Sequence, residues 1–502
     1  MVADQRGVWL DERSTLWLFI FVVGVPRLIF WLSFGVQYDG DSAVYFSMIP
    51  GFLDGVKPDL CSPVHPPTES DVIYGPGYPL FVAAARLLPV LPWSMAVLFL
   101  QHAAAVIMSY LLYQLGRLEG FPLAGLAAGL LSGLASESLF LAQYLKSESI
   151  FAFEMVVFFW LLSRATGPAR GRGRAAALTA AAAMLLVCIA TRPGAWAFLP
   201  VAAVHLIVSQ FDAWHPAMRD RIKAALLLGA VVLVGVLFII LYHGLIFGKW
   251  RLTTCIGRHL YNRVVGVCGL VDRAGPAAQK MRALTGGTVR GFWWSWFYRL
   301  RSNGLDVNAA DELMGAVAWE GLRTAPQECI WQIARGVPLV MSEVGYLGFP
   351  PTPAADADAY WLWASMWPRS LVPEETFLRN TFLQRVQLVA PGEILPKAWG
   401  DTIYSASRAF VPAGRGRLFV WGYGVTAAYL LFFRSRSRRA FWVACLLSYL
   451  TLTVALEMNE IRYFSPCIAM AELLLFSVLS ELWRWARRRV PAPRSAATLA
   501  RP

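Results

Sequence analysis

The sequence predicts an α-helical integral membrane protein of about ten spans, with a partly helical domain on the outer side. Three observations lead there. Apolar runs of about 18 residues or more recur along the chain. Only 15% of the 502 residues are charged, against 57% hydrophobic, where a soluble domain carries roughly 25% charged residues. Four clusters of basic residues each lie just past the end of an apolar run, as the positive-inside rule requires.

The apolar runs, in order, are 14–35, 94–115, 121–141, 147–163, 175–191, 195–210, 224–247, 416–433, 440–457 and 465–483. Residues 1–13 are polar, and the first run is too long for a signal-peptide core and lacks a small-residue cleavage site, so a retained first span is expected. The basic clusters are Arg164/Arg170/Arg172/Arg174, Arg219/Arg221/Lys223, Arg434/Arg436/Arg438/Arg439 and the tail from Arg484. With the N-terminus inside, all four face the cytoplasm and both termini are cytoplasmic. The chain then divides into a membrane module 1–247 with spans one to seven, a large outer domain 248–415, and a segment 416–502 with three spans and the basic tail.

The net charge of +13 does not indicate nucleic acid, because the cations follow membrane topology instead of lining one folded face. Outer loop 36–93 is acidic, with Asp39, Asp41, Asp54, Asp59, Glu69 and Asp71. Its Leu80–Leu88 segment is too short to span and reads as a helix lying along the membrane surface. The outer domain holds ten of the 21 tryptophans. They serve either as interfacial belts and a small core or as stacking surfaces for a sugar or lipid. Within it, 308–323 reads as a helix with Asn308 as cap, and Pro326 opens a helix through Arg335.

Of seven cysteines, Cys188, Cys445 and Cys467 lie in spans, whereas Cys61, Cys255, Cys268 and Cys329 lie in outer loops. An oxidising compartment would allow the outer four to pair, and Cys255 with Cys268 is the expected bridge. No metal-ligand spacing appears among the cysteines and histidines. Arg27 lies inside the first span and is expected to pair with Glu154 of the fourth.

The stretch that carries chemistry is Tyr38-Asp39-Gly40-Asp41-Ser42-Ala43-Val44-Tyr45, where the chain leaves the first span. Asp39-Gly40-Asp41 forms the two-carboxylate pattern that holds a divalent metal against a diphosphate in soluble sugar transferases. Read structurally, Asp41 or Ser42 is a helix cap. Further on, all on the expected outer side, come Gly75-Pro-Gly-Tyr-Pro79, Ser147-Glu148, Thr191-Arg192-Pro193 and Asn459-Glu-Ile-Arg462-Tyr463-Phe-Ser-Pro466. In this order the motifs resemble the polytopic GT-C glycosyltransferases. The similar branch is the protein-mannosyltransferase and lipid A aminoarabinose-transferase group, including bacterial lipopolysaccharide transferases. The motifs frame most of the chain but leave 248–415 unaligned. Relatives often carry a basic residue before the proline pair, where this chain has Tyr74-Gly75.

The resemblance implies a GT-C fold in a bacterial inner membrane with a periplasmic active site. It implies an inverting transfer of a sugar from a polyprenyl-phosphate donor to a hydroxyl of a lipid, glycan or protein. Such a reaction needs a base for the hydroxyl and cations for the departing phosphate. Asp41 is the expected base, with Asp39 as runner-up. Lys146, Arg192 and Arg462 are the only cations of the short outer turns and are expected at the donor phosphate. Headgroup or structural pairing competes with that role for each, as between Arg462 and Glu460. Tyr45, Tyr74, Glu148 and Tyr463 are expected at the acceptor or substrate. No cofactor is required, although a divalent metal has a place at Asp39/Asp41. Membrane lipids are the remaining partners, and a monomer is expected. A transporter or flippase is the competing class, disfavoured by the lack of an internal repeat and by ionisable residues gathered at the outer surface. A structural assembly factor using the large loop is the third.

The topology makes a direct prediction. A membrane-impermeant thiol reagent applied from outside labels Asp356→Cys above the wild-type background and does not label Arg436→Cys. The reverse pattern overturns the assigned sidedness.

Overall fold

In the computed structural model, the described residues are 11–34, 45, 75–88, 91, 93–166, 172–208, 218–247, 250–253, 255–287, 293–342, 395–410, 415–434, 437–456 and 465–489. Regular structure among them is helical, as the sequence predicts. The membrane module begins with α1 (Glu12–Ser33), which contains a π turn at Ile20–Gly24 just before Pro26. It continues through α2 (Gly77–Arg86), α3 (Trp93–Leu118), α4 (Pro122–Leu134), α5 (Ser136–Gln143), α6 (Ser147–Thr166) and α7 (Arg172–Thr191). A 3₁₀ turn at Pro193–Ala197 leads into α8 (Phe198–Val208) and then α9 (Met218–Phe247). Among the described residues five helices are long and apolar enough to cross a membrane: α1, α3, α6, α7 and α9, the last with mean hydropathy 3.1. Along α9, Leu226, Val234, Phe238 and Leu245 are exposed, which suits a lipid-facing surface.

The main core joins α3, α6, α7, α8 and α9 to three later helices, α16 (Arg415–Phe433), α17 (Arg438–Leu456) and α18 (Ile468–Arg489). Small residues let α3 and α4 approach closely. A Cβ on Gly125 would stand 2.7 Å from the Leu112 carbonyl oxygen. At the end of the bundle that holds the start of α1, ion pairs tie chain ends together. Arg117 meets Glu12 at 2.6 Å, Arg438 meets Glu119 at 3.0 Å, and Arg434 and Arg439 share Glu481.

The expected third span, 121–141, is interrupted. The chain turns extended at Ala135 (φ −60°, ψ 137°), ending α4 and starting α5. Side chains from elsewhere take the carbonyls that the break frees. Arg27 Nε donates to Gly133 O at 2.8 Å, and Ser407 of α15 (Lys397–Phe410) donates to Leu134 O. A break inside an apolar bundle persists only when such groups are satisfied. This also corrects the expected Arg27–Glu154 pair. Arg27 donates to Gly133 and to Ser138 Oγ (2.5 Å) and faces His102 Nδ1 at 3.4 Å. Glu154 instead accepts from Thr191 Oγ1 at 2.9 Å. Ionisable groups therefore do occur inside the bundle, but Arg27, Glu154 and Glu472, which accepts from Ser132 at 2.6 Å, are buried and partnered. The segment expected along the membrane surface is helical from Gly77, and it buries Tyr78, Val82 and Ala83 against α3 and α7.

The segment expected as the outer domain packs, among its described residues, around a second core of Tyr261, Val264, Met281, Phe297, Met314 and Val317. Its helices are α10 (Ile256–Tyr261), running on into a π turn Asn262–Val267, α11 (Pro276–Thr285), α12 (Trp293–Ser302), α13 (Val307–Thr324) and α14 (Pro326–Ser342). Asp306, not Asn308, caps α13: its Oδ1 accepts from Ala309 N at 2.7 Å. Helix α14 begins at Pro326 as expected and runs past Arg335 to Ser342. Ile333 and Val337 reach the main core. Cys255 and Cys268 are not paired, because the helix between them spaces its ends about 18–20 Å apart. The sulfur beside Cys268 belongs to Cys329, at 3.4 Å. Cys61 lies outside the described residues.

The Arg27 contacts predict a stability effect. Arg27→Met removes the donor to Gly133 O and leaves that carbonyl unmet. The expected cost is about 1–3 kcal/mol, read as a lower unfolding midpoint in detergent. An unchanged midpoint would show that the break is held by other groups.

Candidate functional site

The site is built where four of the sequence motifs meet at one end of the bundle. Helix α5 ends at Gln143, and Lys146 leads into Ser147-Glu148 at the first turn of α6. Helix α7 ends at Thr191, so Arg192 stands in extended conformation before the proline-opened 3₁₀ turn. These two junctions place Arg192 against the start of α6. Its Nη2 lies 2.6 Å from Glu148 Oε1, with side chains 15% and 2% exposed respectively. Its Nε donates to Ser147 Oγ at 3.2 Å. The guanidinium also lies over the Phe151 ring, 5.9 Å from its centre, and engages Tyr449 of α17.

Tyr45 is anchored to the same point. Tyr45 is 3% exposed, and its hydroxyl lies 2.8 Å from Ser147 Oγ. Its ring meets Tyr78 at 4.7 Å in an edge arrangement. Tyr78 OH donates to Gln101 Oε1 at 2.7 Å, and Gln101 Nε2 donates to Ala142 O (2.9 Å) and Tyr144 O (2.8 Å). Buried contacts thus run from Arg192 through Ser147 to Tyr45 by polar groups, across a ring contact to Tyr78, and through Gln101 to the end of α5.

The Gly75-Pro-Gly segment has a physical reason. A Cβ on Gly75 would fall on the Ala190 carbonyl oxygen, and one on Gly77 would stand 2.5 Å from Thr191 Oγ1. Bare backbone at both positions lets the segment lie against the end of α7, next to Arg192. Beside Glu148 lies a small, largely apolar cavity of about 40 Å³, lined by Met108, Leu141, Ala152, Ile468 and Ala469.

Of the expected site residues, Tyr45, Glu148 and Arg192 converge. Glu148, expected at the acceptor, is the ion partner of Arg192. Lys146 adjoins them, half-buried, with its ammonium 5.7 Å from the Tyr144 ring centre. Asp39, Asp41, Tyr74, Arg462 and Tyr463 lie outside the described residues, and with them the place for a divalent metal. Sequence reasoning missed Ser147, Tyr78, Gln101 and Tyr449 as contributors. Ser147 and Tyr78 sit inside motifs already singled out. Gln101 carried a signal of its own, an amide inside an apolar run.

No protein-family model matches the chain, and no curated protein matches it. Among solved structures the chain is similar to the apo oligosaccharyltransferase of Archaeoglobus fulgidus. There the identity is 14% and the TM-score 0.43, over 95% of this chain and 52% of that one. It is also similar to apo ArnT from Cupriavidus metallidurans, with 14% identity, TM-score 0.37, and 83% and 80% of the two chains covered. For the same ArnT bound to undecaprenyl phosphate the values are 13%, 0.35, 96% and 82%. The chain spans about half the length of the oligosaccharyltransferase chain. These are loose likenesses.

The close approach at Gly75 predicts a selective cost. Gly75→Ala pushes the segment off Ala190 and destabilises by about 1–3 kcal/mol. Gly424→Ala, where a Cβ meets nothing within 4 Å, changes stability by less than about 1 kcal/mol. Thermal unfolding of the two variants side by side checks this, and equal midpoints would refute the close packing.

Proposed function

We propose that the chain is a membrane glycosyltransferase that moves a sugar from a polyprenyl-phosphate donor to an acceptor hydroxyl, with inversion at the anomeric carbon. One observation carries the reading. A guanidinium at the end of an apolar bundle is held by Glu148 and Ser147, directly beside the anchor of the acidic first loop. A phosphate leaving group gains charge as the glycosidic bond breaks, and a fixed cation in a low-dielectric site stabilises that charge without reorganising. Glu148 positions the Arg192 fork, and a guanidinium carries five N–H donors, so groups remain for an anion. Lys146 and Arg462 are assigned to the same phosphate.

Asp41 is assigned as the base that takes the proton of the attacking hydroxyl, with Asp39 orienting it or acting in its place. Tyr45, four residues on, bonds Ser147, which also meets the cation. Tyr74 and Tyr463 are assigned to the acceptor. The site faces the periplasm in this reading, with both termini in the cytoplasm. The acceptor is a lipid, glycan or protein hydroxyl. Whether the sugar is a hexose or a pentose is decided by a panel of labelled polyprenyl-phosphate sugars.

Sugar transfer by purified variants in nanodiscs tests the roles. Asp41→Asn keeps the shape and removes the base, so turnover falls about 10²–10⁴-fold with folding intact. Arg192→Lys keeps the charge but loses the planar fork, so KM for the donor rises more than kcat falls. Wild-type turnover by Asp41→Asn would remove Asp41 from the mechanism.

A further inference from the structure

Cys268 and Cys329 take no part in the site above. Cys268 directly follows the π turn Asn262–Val267, and Cys329 lies in the first turn of α14. They are 61 residues apart in the chain, and their Sγ atoms are 3.4 Å apart. Cys329 is 3% exposed and belongs to the outer-domain core, with Cys268 packed against it. A bonded pair of sulfurs stands about 2.05 Å apart, so closure needs a shift of about 1.4 Å. That is within the reach of two side-chain torsions. Helix α14 also carries Ile333, one turn beyond Cys329, which packs against both the outer core and the membrane core.

We propose that Cys268 and Cys329 are a redox-modified pair whose disulfide staples the outer-domain core to helix α14. The electrons go to a disulfide oxidant, small or protein-borne. One cysteine, as thiolate, attacks a sulfur of the oxidant and expels one thiol, giving a mixed disulfide. The second cysteine, on losing its proton, attacks the protein sulfur and expels the other thiol. Two S–H bonds on the protein are lost, one S–S bond forms, and the oxidant leaves as two thiols. Burial first, and then the hydrogen bond to Cys329, pushes the Cys268 thiol up to about 12. Thiolate is therefore scarce at neutral pH once the core has closed. The pair oxidises most readily as the domain folds, and the closed protein exchanges it slowly.

The other cysteines do not compete on geometry. Cys255 caps the far end of the same helix beside Thr253. Cys188, Cys445 and Cys467 are buried in the main core.

In cells the pairing rests on residues 248–415 facing an oxidising compartment. The experiment supplies its own oxidant, so the pairing and the compartment are read apart. Full-length protein in detergent is treated with oxidised glutathione, denatured, blocked with N-ethylmaleimide and cut with trypsin without reductant. Peptides Val264–Arg273 and Thr324–Arg335 are expected to appear linked and to separate on reduction. The linked species is absent from Cys268→Ser. Both peptides recovered as N-ethylmaleimide adducts would overturn the proposal. So would linkage of the Cys268 peptide to Leu252–Arg258 or to the peptide carrying Cys61. The same map on protein blocked at cell lysis reads the compartment. A linked pair is expected there, and free thiols there alone would overturn the outer location and leave the pairing standing.

Discussion

A polar group inside an apolar bundle must find its partner within the chain, and Arg27 meets that demand at the hardest place. It sits in the first span and closes the carbonyl freed where α4 stops. Together with Ser407 on Leu134 O, that contact satisfies the backbone where the chain leaves helix at Ala135, in the middle of an apolar run. Because it does leave, α5 is a separate short helix, and its end is set by Gln101 and Gln143. Lys146, Ser147 and Glu148 follow within a few residues. The place where the site begins is therefore fixed by a guanidinium of another span.

The second cation, Arg192, inverts the pattern. Arg27 spends its donors on a backbone carbonyl and a hydroxyl within the bundle, whereas Arg192 is gripped by a carboxylate and a hydroxyl at the bundle end. Ser147 serves two masters there, the Arg192 Nε and the Tyr45 hydroxyl. Its hydroxyl couples the position of the cation to that of Tyr45. Networks of this kind polarise along their length and respond to deletion more than pair by pair.

The helical class was legible because hydropathy is a sum over many residues, and five of the ten expected spans are helices long and apolar enough to cross a membrane among the described residues. The interruption at Ala135 was not legible: Leu134-Ala135-Ser136 contains neither proline nor glycine, and the donors that close its carbonyls, Arg27 and Ser407, lie far away in the chain. The cysteine pairing failed for a related reason, since spacing in sequence does not reveal that a helix holds Cys255 and Cys268 apart. Capping by Asp306 in place of Asn308 is a shift of two residues between equally good caps. At the site, order along the chain brought out Tyr45, Glu148 and Arg192, but not that Glu148 and Arg192 touch. A carboxylate and a cation read from separate motifs look like two roles, and only the packing of α6 on α7 makes them one unit.

Helix α14 has a mechanical consequence. Ile333 belongs to the packing of both cores, and the helix lies against α16 and α17. The second core is therefore joined to the main one through a packed helix, as by a strut, and α17 carries Tyr449, which engages Arg192. The strut stands one helix away from the cation.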